Sequence, residues 1–193
     1  MLPVLCGCAG VPREKAGAYY GGITTRAESP DTVLIATVNP PEHGRGVFGK
    51  KWEEHSFRAY VDGKSNQTRY ELREAISYVA PQPKRFATVQ LDTPAGAKLV
   101  TATSTGNEQD CAQYRSGTIC TQIEHLTVDL NEDLLRAVAR AGQAGASWRM
   151  EFHDAQGNKY VVQTPPGEVK GLLDAVEDQT TPHIRVYRPR RED

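Results

Sequence analysis

The sequence has no apolar run long enough for a transmembrane helix and no excess of charge of either sign. A helix that spans a bilayer needs about 18 or more consecutive apolar residues, and no stretch of this chain reaches that length. The 23 basic and 24 acidic residues give a formal net charge of −1. Because nucleic-acid-binding domains usually carry a clear basic excess, no nucleic acid is expected as a partner. Contact with a membrane would require a tether.

Motifs of the common catalytic and metal sites are also missing. The chain contains no G-x-S-x-G sequence, which positions the nucleophile of many hydrolases. None of its five histidines has the spacing of a zinc site. Gly44–Lys51 resembles a phosphate-binding P-loop, but Lys51 occupies the place of the Ser or Thr that binds magnesium. We therefore predict no catalytic residue, no metal site and no cofactor.

Two of the four cysteines lie close to the start of the chain. Leu5-Cys6-Gly7-Cys8 resembles a bacterial lipobox, and this resemblance implies cleavage before Cys8 and lipidation of its thiol. Only four residues separate Met1 from Cys6, whereas a secretory signal has a basic start and about 7–15 apolar residues. The lipobox interpretation therefore places the true start codon upstream of Met1. Two alternatives stay open, a C-x-C metal or redox pair and two incidental thiols.

The other two cysteines are spaced for a local disulfide. Cys111 and Cys120 flank eight residues that include Ser116-Gly117, a turn signal that lets the segment fold back. Lipidation would use Cys8 and cleavage would remove Cys6, which leaves an even pair, as in exported proteins. The alternative is two reduced, buried thiols in a cytosolic protein.

The composition divides the chain into a tether and one domain. Residues 1–31 contain the truncated signal and a segment rich in glycine with few large apolar side chains, which is typical of a flexible spacer. Residues 32–193 are predicted to form a single antiparallel, β-rich domain, because apolar runs at strand spacing recur along them.

Alternating apolar residues predict most of the strands. We expect strands around Val33–Val38, Phe57–Val61, Ala87–Leu91, Leu99–Thr103, Ile119–Leu130, Trp148–Phe152, Tyr160–Val162 and Ile184–Tyr187. Thr68–Val79 favours a strand, although its apolar spacing also fits a helix with a capping box. The apolar parity changes between Ile123 and Leu126, which predicts a β-bulge near Glu124 and His125.

Two helices are predicted beside these strands. Asn131 is a good N-cap with acidic residues after it, and Gly142 follows the last apolar position. Pro165-Pro166 opens the second helix, which carries one apolar stripe. The apolar faces must cover each other, so we predict an α+β fold, an antiparallel sheet or sandwich with both helices packed on it.

This order of elements after a lipobox-like cysteine resembles a loose class of uncharacterised bacterial envelope lipoproteins. The resemblance implies a lipid-anchored location in the cell envelope, facing the periplasm or the exterior, and no particular reaction. We expect a binding or assembly module whose partners are the membrane, through its anchor, and another envelope protein or a cell-wall polymer. Glu124 and His125, at the predicted bulge, form a speculative polar site. The alternatives are a periplasmic hydrolase or transferase with a non-obvious site, and an immunity or inhibitor protein.

Overall fold

The computed structural model describes residues 22–38, 55–115, 117–142 and 147–181, which form ten strands and two helices. The strands are β1 (Gly22–Ser29), β2 (Thr32–Val38), β3 (His55–Asp62), β4 (Thr68–Val79), β5 (Thr88–Thr93), β6 (Gly96–Thr101), β7 (Thr103–Tyr114), β8 (Gly117–Leu130), β9 (Trp148–His153) and β10 (Lys159–Thr164). The helices are α1 (Glu132–Ala141) and α2 (Pro166–Thr180).

The strands form two antiparallel sheets that share one core with the helices. The larger sheet has six strands in the order β1-β2-β3-β4-β8-β7, and the smaller has four in the order β10-β9-β5-β6. Helix α2 packs against β1, β2 and β3, and α1 packs against α2 and touches β5. The predicted fold class, an antiparallel β structure with two helices packed on it, is therefore confirmed.

Alternation along the strands of the six-stranded sheet defines an inner face, which turns toward the helices and the second sheet. Phe57, Ala59 and Val61 of β3 lie on this inner face and are at most 4% exposed. The ring of Phe57 stacks on that of Trp148 in β9, with 5.7 Å between ring centroids. Burying an aromatic side chain of this kind contributes roughly 1.5–3 kcal/mol to folding. This stack therefore joins the two sheets through the shared core.

Thr68–Val79 is a strand and not a helix. Strand β4 lies inside the six-stranded sheet, where it pairs with β3 on one side and with β8 on the other. Ten consecutive residue pairs, from Tyr70↔Leu130 to Val79↔Thr121, join it to β8 without interruption. Pairing on both sides satisfies the backbone hydrogen-bonding groups of β4. The apolar spacing of this segment fits both a strand and a helix, and the neighbouring strands decide in favour of the strand.

Two strands were not predicted because their side chains are mostly exposed. Gly22–Ser29, which composition assigns to the tether, forms strand β1 at the edge of the sheet, and all eight of its residues are exposed. The predicted tether therefore extends too far, since its last residues pair with β2. Strand β7 is the opposite edge and has no buried residue. Such strands are held by backbone hydrogen bonds. Because this pairing does not need apolar side chains, the sequence of these strands shows no apolar alternation.

The predicted bulge exists, but the extra residue lies on the neighbouring strand. β8 keeps a regular register with β4 through Glu124 and His125. The shift occurs in β7 between Ser104 and Gly106, so that Thr105 is the unpaired residue opposite β8. The change of apolar parity in β8 has a different cause, because Ile123 and Leu126 are both buried, on opposite faces of one regular strand.

Helix α1 begins and ends as predicted, and helix α2 begins at the predicted Pro165-Pro166. Asn131 is the N-cap of α1, and its side chain accepts hydrogen bonds from the backbone N–H groups of Asp133 and Leu134. Gly142 ends α1 where it meets α2, because a Cβ added there would lie 1.9 Å from the Cβ of Pro166. Only glycine permits this approach of the two helices.

Several predicted features lie outside the described residues. They are the lipobox cysteines Cys6 and Cys8, the P-loop-like segment Gly44–Lys51 and the strand at Ile184–Tyr187. Within the described ranges, neither helix has the length and apolar character that crossing a membrane would require.

Strands β7 and β8 form a long hairpin that carries the cysteine pair. Cys111 and Cys120 face each other directly across the two strands, and their sulfur atoms lie 2.14 Å apart, at disulfide distance. In β7, and in β8 from Gly117 to Cys120, no residue is buried. The outer part of the hairpin therefore depends on strand pairing and on the cysteine pair, without support from the core.

We expect loss of the disulfide to loosen the hairpin locally. In the double variant Cys111→Ser with Cys120→Ser, amide exchange of the described residues 108–122 should accelerate at least tenfold while exchange in α2 stays unchanged. The global free energy of unfolding should fall by less than the roughly 2.5–3 kcal/mol that chain entropy allows for so short a loop, because the hairpin end can open separately. The control is Gln113→Ser with Thr118→Ser, the next pair on the same face of the hairpin, two residues closer to its turn. Uniform acceleration across both sheets would contradict a local role.

Candidate functional sites

The two residues of the speculative polar site point to opposite faces of the six-stranded sheet. Glu124 lies on the inner face and is only 2% exposed. His125 lies on the outer face, where its Nε2 is 3.1 Å from Oε1 of Glu108 in β7. Neighbouring residues of a regular strand point in opposite directions, and β8 is regular here. The structure therefore does not bring Glu124 and His125 together.

Glu124 holds the chain segment that crosses from the six-stranded to the four-stranded sheet. Its carboxylate accepts hydrogen bonds from the backbone N–H groups of Arg85 (2.9 Å) and Phe86 (3.1 Å) and from the hydroxyl of Tyr78. The Tyr78 hydroxyl in turn accepts one from the N–H of Lys84 at 2.6 Å. Arg85 adopts a φ of 62°, which is uncommon for a residue with a side chain. The bonds to Glu124 fix this conformation.

The surroundings of Glu124 favour a structural role over acid or base catalysis. Burial raises the pKa of Tyr78, and its hydrogen bond to Glu124 raises it further, so the phenol keeps its proton and remains a donor. Three donors, the Tyr78 hydroxyl of β4 and the backbone N–H groups of Arg85 and Phe86, already occupy the carboxylate. A general base needs access to a substrate proton, and here that access would require breaking the connection between the sheets.

A second buried polar cluster, which was not predicted from the sequence, is centred on His55 at the start of β3. The Nδ1 atom of His55 lies 2.5 Å from Oε2 of Glu74 in β4, its direct partner across the strands. Its Nε2 atom lies 2.9 Å from the hydroxyl of Thr164, at the end of β10. The same nitrogen is 3.8 Å from Oε2 of Glu168, in the first turn of α2. We call these four residues the His55 node.

The His55 node also reaches strand β2. Oε1 of Glu168 accepts a hydrogen bond of 2.6 Å from the hydroxyl of Thr37, which accepts one of 2.9 Å from the N–H of Phe57. Contacts within this cluster therefore connect β2, β3, β4, β10 and α2. Glu168 and Thr164 are both 1% exposed, and Glu74 is 6% exposed. Buried polar groups at such a junction are stable only when they are paired.

The electrostatics of the node favour a protonated histidine. Burial alone lowers the pKa of His55, but the hydrogen bond and charge of Glu74 and the charge of Glu168 outweigh it, so this pKa is raised above 6.5. A protonated ring can donate from both nitrogens, to Glu74 on one side and to Thr164 on the other. In that protonated state the ring lies between the side chains of Glu74 and Glu168.

The node has the same sequence of hydroxyl, imidazole and carboxylate groups as a catalytic triad, but its hydroxyl is buried. Thr164, His55 and Glu74 follow one another as the hydroxyl, imidazole and carboxylate of an acyl-transfer site do. The hydroxyl of such a site must reach a substrate, and Thr164 is buried. The two carboxylates approach opposite nitrogens of the ring, so they do not converge on one metal ion. In the described residues no three His, Cys, Asp or Glu side chains are grouped as metal ligands.

A parity signal in the sequence marks two of the four residues of the node, His55 and Glu74. His55 has the same parity as Phe57, Ala59 and Val61, and Glu74 has the same parity as Leu72 and Ile76. A charged side chain on the apolar face of a strand must find a buried partner. Glu124 obeys the same rule, because it shares parity with Leu126 and Val128.

We expect Glu124→Ala to cost about 3 kcal/mol of stability, because it leaves buried donors without an acceptor. Glu124→Gln keeps one acceptor oxygen and should cost less, about 1–2 kcal/mol. The control is His125→Ala, a change on the opposite face that should stay within about 0.5 kcal/mol. Urea unfolding at pH 7 measures all three variants. Equal effects of Glu124→Ala and His125→Ala would contradict the structural role of Glu124.

The buried carboxylates described above thus connect elements of the fold, and the cysteine pair joins the two strands of the β7–β8 hairpin. No protein-family model matches the chain, and a comparison with curated proteins finds no match. The function must therefore be inferred from these side chains and from the cysteine pattern.

Proposed function

We propose that the protein is a lipid-anchored binding module of a bacterial cell envelope, tethered through Cys8 and facing the periplasm or the exterior. The observation that carries this proposal is the pairing of Cys111 and Cys120 at disulfide distance on a surface hairpin. Persistent disulfides are typical of exported proteins and rare in the cytosol. The pairing leaves Cys6 and Cys8 as the other cysteines of the chain, in the order of a lipobox.

The position of strand β1 is compatible with a tether. Residues 9–21 connect Cys8 to β1, and 13 residues span at most about 45 Å when fully extended. Two or more acyl chains hold a protein stably at a bilayer, whereas one gives only marginal binding. A diacylated or triacylated Cys8 would therefore hold the domain at the membrane. The 13 linking residues would let the domain reach a partner away from the bilayer surface.

The outer end of the β7–β8 hairpin supports a binding role. Val79, Tyr114 and Ile119 lie on the outer face of the six-stranded sheet and are 59%, 43% and 37% exposed. Apolar side chains grouped on one surface are typical of contact sites. Because they are apolar and not basic, they favour another envelope protein over an anionic cell-wall polymer as the partner. The cysteine pair braces the same hairpin.

The anchor is tested with the protein isolated from its native host. We expect the mature chain to begin at a diacylglyceryl-modified Cys8 in intact-mass measurements and to leave membranes with detergent but not with high salt. Cys8→Ser should abolish both properties, while Cys6→Ser, which alters a residue removed by cleavage, should preserve them. An unmodified Cys8 together with free thiols at Cys111 and Cys120 would refute the proposal.

The binding surface is tested by site-specific photo-crosslinking in intact cells. A crosslinker in place of Ile119 should give one discrete protein adduct, and Tyr114→Ala should reduce its yield at least tenfold. The matched control is a crosslinker in place of Leu99, which is 64% exposed but lies on the other sheet, and it should give no such adduct. Crosslinking of position 119 to lipid alone, or equal adducts from both positions, would contradict a protein partner on the hairpin.

A further inference from the structure

Strand β7 lies at one edge of the six-stranded sheet, and its outward edge is long and regular. Among the described strands, β8 alone pairs with β7. After the bulge at Thr105, nine consecutive residue pairs join the two strands, from Gly106↔His125 to Tyr114↔Gly117. An edge strand presents a row of backbone N–H and C=O groups with which another strand can pair. This part of β7 is therefore suited to the addition of a strand.

The other three edges of the two described sheets each carry a basic side chain, which opposes strand addition. Natural edge strands are commonly protected by charged residues, lysine above all, by proline, by bulges or by short length. β1 contains Arg26, β6 contains Lys98 and β10 contains Lys159, and these strands have eight, six and six residues. β7 has twelve residues and contains neither a basic residue nor a proline. Of these four edges, β7 is therefore the least protected.

The charged residues of β7 are both acidic, and both lie on the outer face of the sheet. Glu108 and Asp110 are two positions apart, so their side chains share that face. Glu108 contacts Nε2 of His125 at 3.1 Å, and its side chain is still 52% exposed. Within the described part of the chain, Asp110 forms no ion pair. Toward the turn, the same face continues with Ala112 and Tyr114. The edge thus presents two acidic positions followed by two apolar ones, at strand spacing.

We propose that the outward edge of β7 accepts an extended segment of a partner protein as an added antiparallel strand. The segment carries basic side chains opposite Glu108 and Asp110 and apolar side chains opposite Ala112 and Tyr114. This inference rests on the proposed binding role of the hairpin, for which it names the kind of segment bound, and it does not depend on lipid anchoring. Opposite charges and apolar side chains that face each other across two strands stabilise their pairing. Backbone hydrogen bonds supply the affinity in such complexes, and alternate side chains supply the specificity.

A second copy of this chain is a poorer occupant of the edge, because it would bring the same acidic charges. Two β7 strands paired antiparallel about Gln109 would place each Glu108 opposite an Asp110 of the other copy. Like charges directly opposite each other destabilise a pair of strands. Charge complementarity therefore favours a basic segment of a different protein.

Strand addition is tested with the full chain and a synthetic peptide. The probe is the end-capped peptide Tyr-Thr-Val-Thr-Lys-Thr-Lys, which in antiparallel alignment places its tyrosine opposite Tyr114 and its two lysines opposite Asp110 and Glu108. We expect saturable binding in an NMR titration. In the saturated complex, amide exchange of alternate residues between Asn107 and Tyr114 should slow at least tenfold, because their N–H groups become hydrogen-bonded. A peptide with glutamate in place of both lysines should bind at least tenfold more weakly.

Two modified peptides separate strand addition from attraction between side chains alone. N-methylation removes a backbone donor, and alternate residues of a strand direct their N–H groups to opposite edges. One peptide is methylated at its three threonines and the other at its remaining residues. Only one of the two should keep the affinity of the unmodified peptide, and the other should lose at least tenfold.

Charge reversal on the protein tests the recognition. Glu108→Lys with Asp110→Lys should abolish binding of the lysine peptide and establish binding of the glutamate peptide. The control is Glu28→Lys with Asp174→Lys, an equal change of net charge at exposed positions of β1 and α2, and it should leave both affinities unchanged. If the charge-reversed protein does not fold, the methylated peptides and the glutamate peptide still decide on the unaltered chain.

Equal binding of the two methylated peptides, or of the lysine and glutamate peptides, would overturn the proposal. Dimerisation of the unaltered chain that the peptide reverses would also overturn it, because a second copy would then be the occupant. A discrete crosslinked adduct at position 119 does not require backbone pairing. Failure of strand addition is therefore distinguishable from failure of the binding role.

Discussion

The burial of carboxylates constrains this fold more than any other polar feature. Moving an ionised carboxylate out of water costs several kcal/mol unless charges and hydrogen-bond donors replace the lost hydration. Glu124 is supplied with a tyrosine hydroxyl and two backbone N–H groups. Glu74 is supplied with an imidazole. On the outer face, Glu71 is only 3% exposed and accepts from Tyr60, Arg69 and Arg73. Each arrangement requires its strands in one register.

These contacts explain how two sheets of unequal size are kept in one arrangement. An apolar core tolerates small displacements, because its attraction is not directional. A buried carboxylate with fixed donors does not tolerate such displacements. A one-residue slip of β4 would turn Glu74 to the outer face, away from His55. Glu124 fixes the crossing between the sheets, and the His55 node fixes the return of β10 and α2. The Phe57–Trp148 stack supplies the apolar attraction between these two polar junctions.

The elements that bury an apolar face were predicted from the sequence, as was the largely exposed β6. Strands β3, β5 and β9 follow from alternation, β2 from a continuous apolar run, and both helices from apolar stripes and caps. β1 and β7 could not be found this way, because their residues show no apolar alternation and are held by backbone pairing with a neighbouring strand. The predicted pairing of Cys111 with Cys120 agrees with the cross-strand register. The expectation for Glu124 and His125 failed as a joint site because the bulge lies on β7, and β8 keeps them on opposite faces.

The His55 node shows where a single sequence stops being informative. His55, Glu74 and Glu124 each share strand parity with apolar neighbours, which marks them as buried polar residues. Strand parity does not say which of these side chains contact each other. The hydroxyl of Thr164 is 109 residues from His55 in sequence, and Glu168 is 131 residues from Thr37. Only the sheet order brings them together. The inner polar groups join parts of the fold, so the binding surface that we propose lies on the outer face of the six-stranded sheet, where Val79, Tyr114 and Ile119 are exposed.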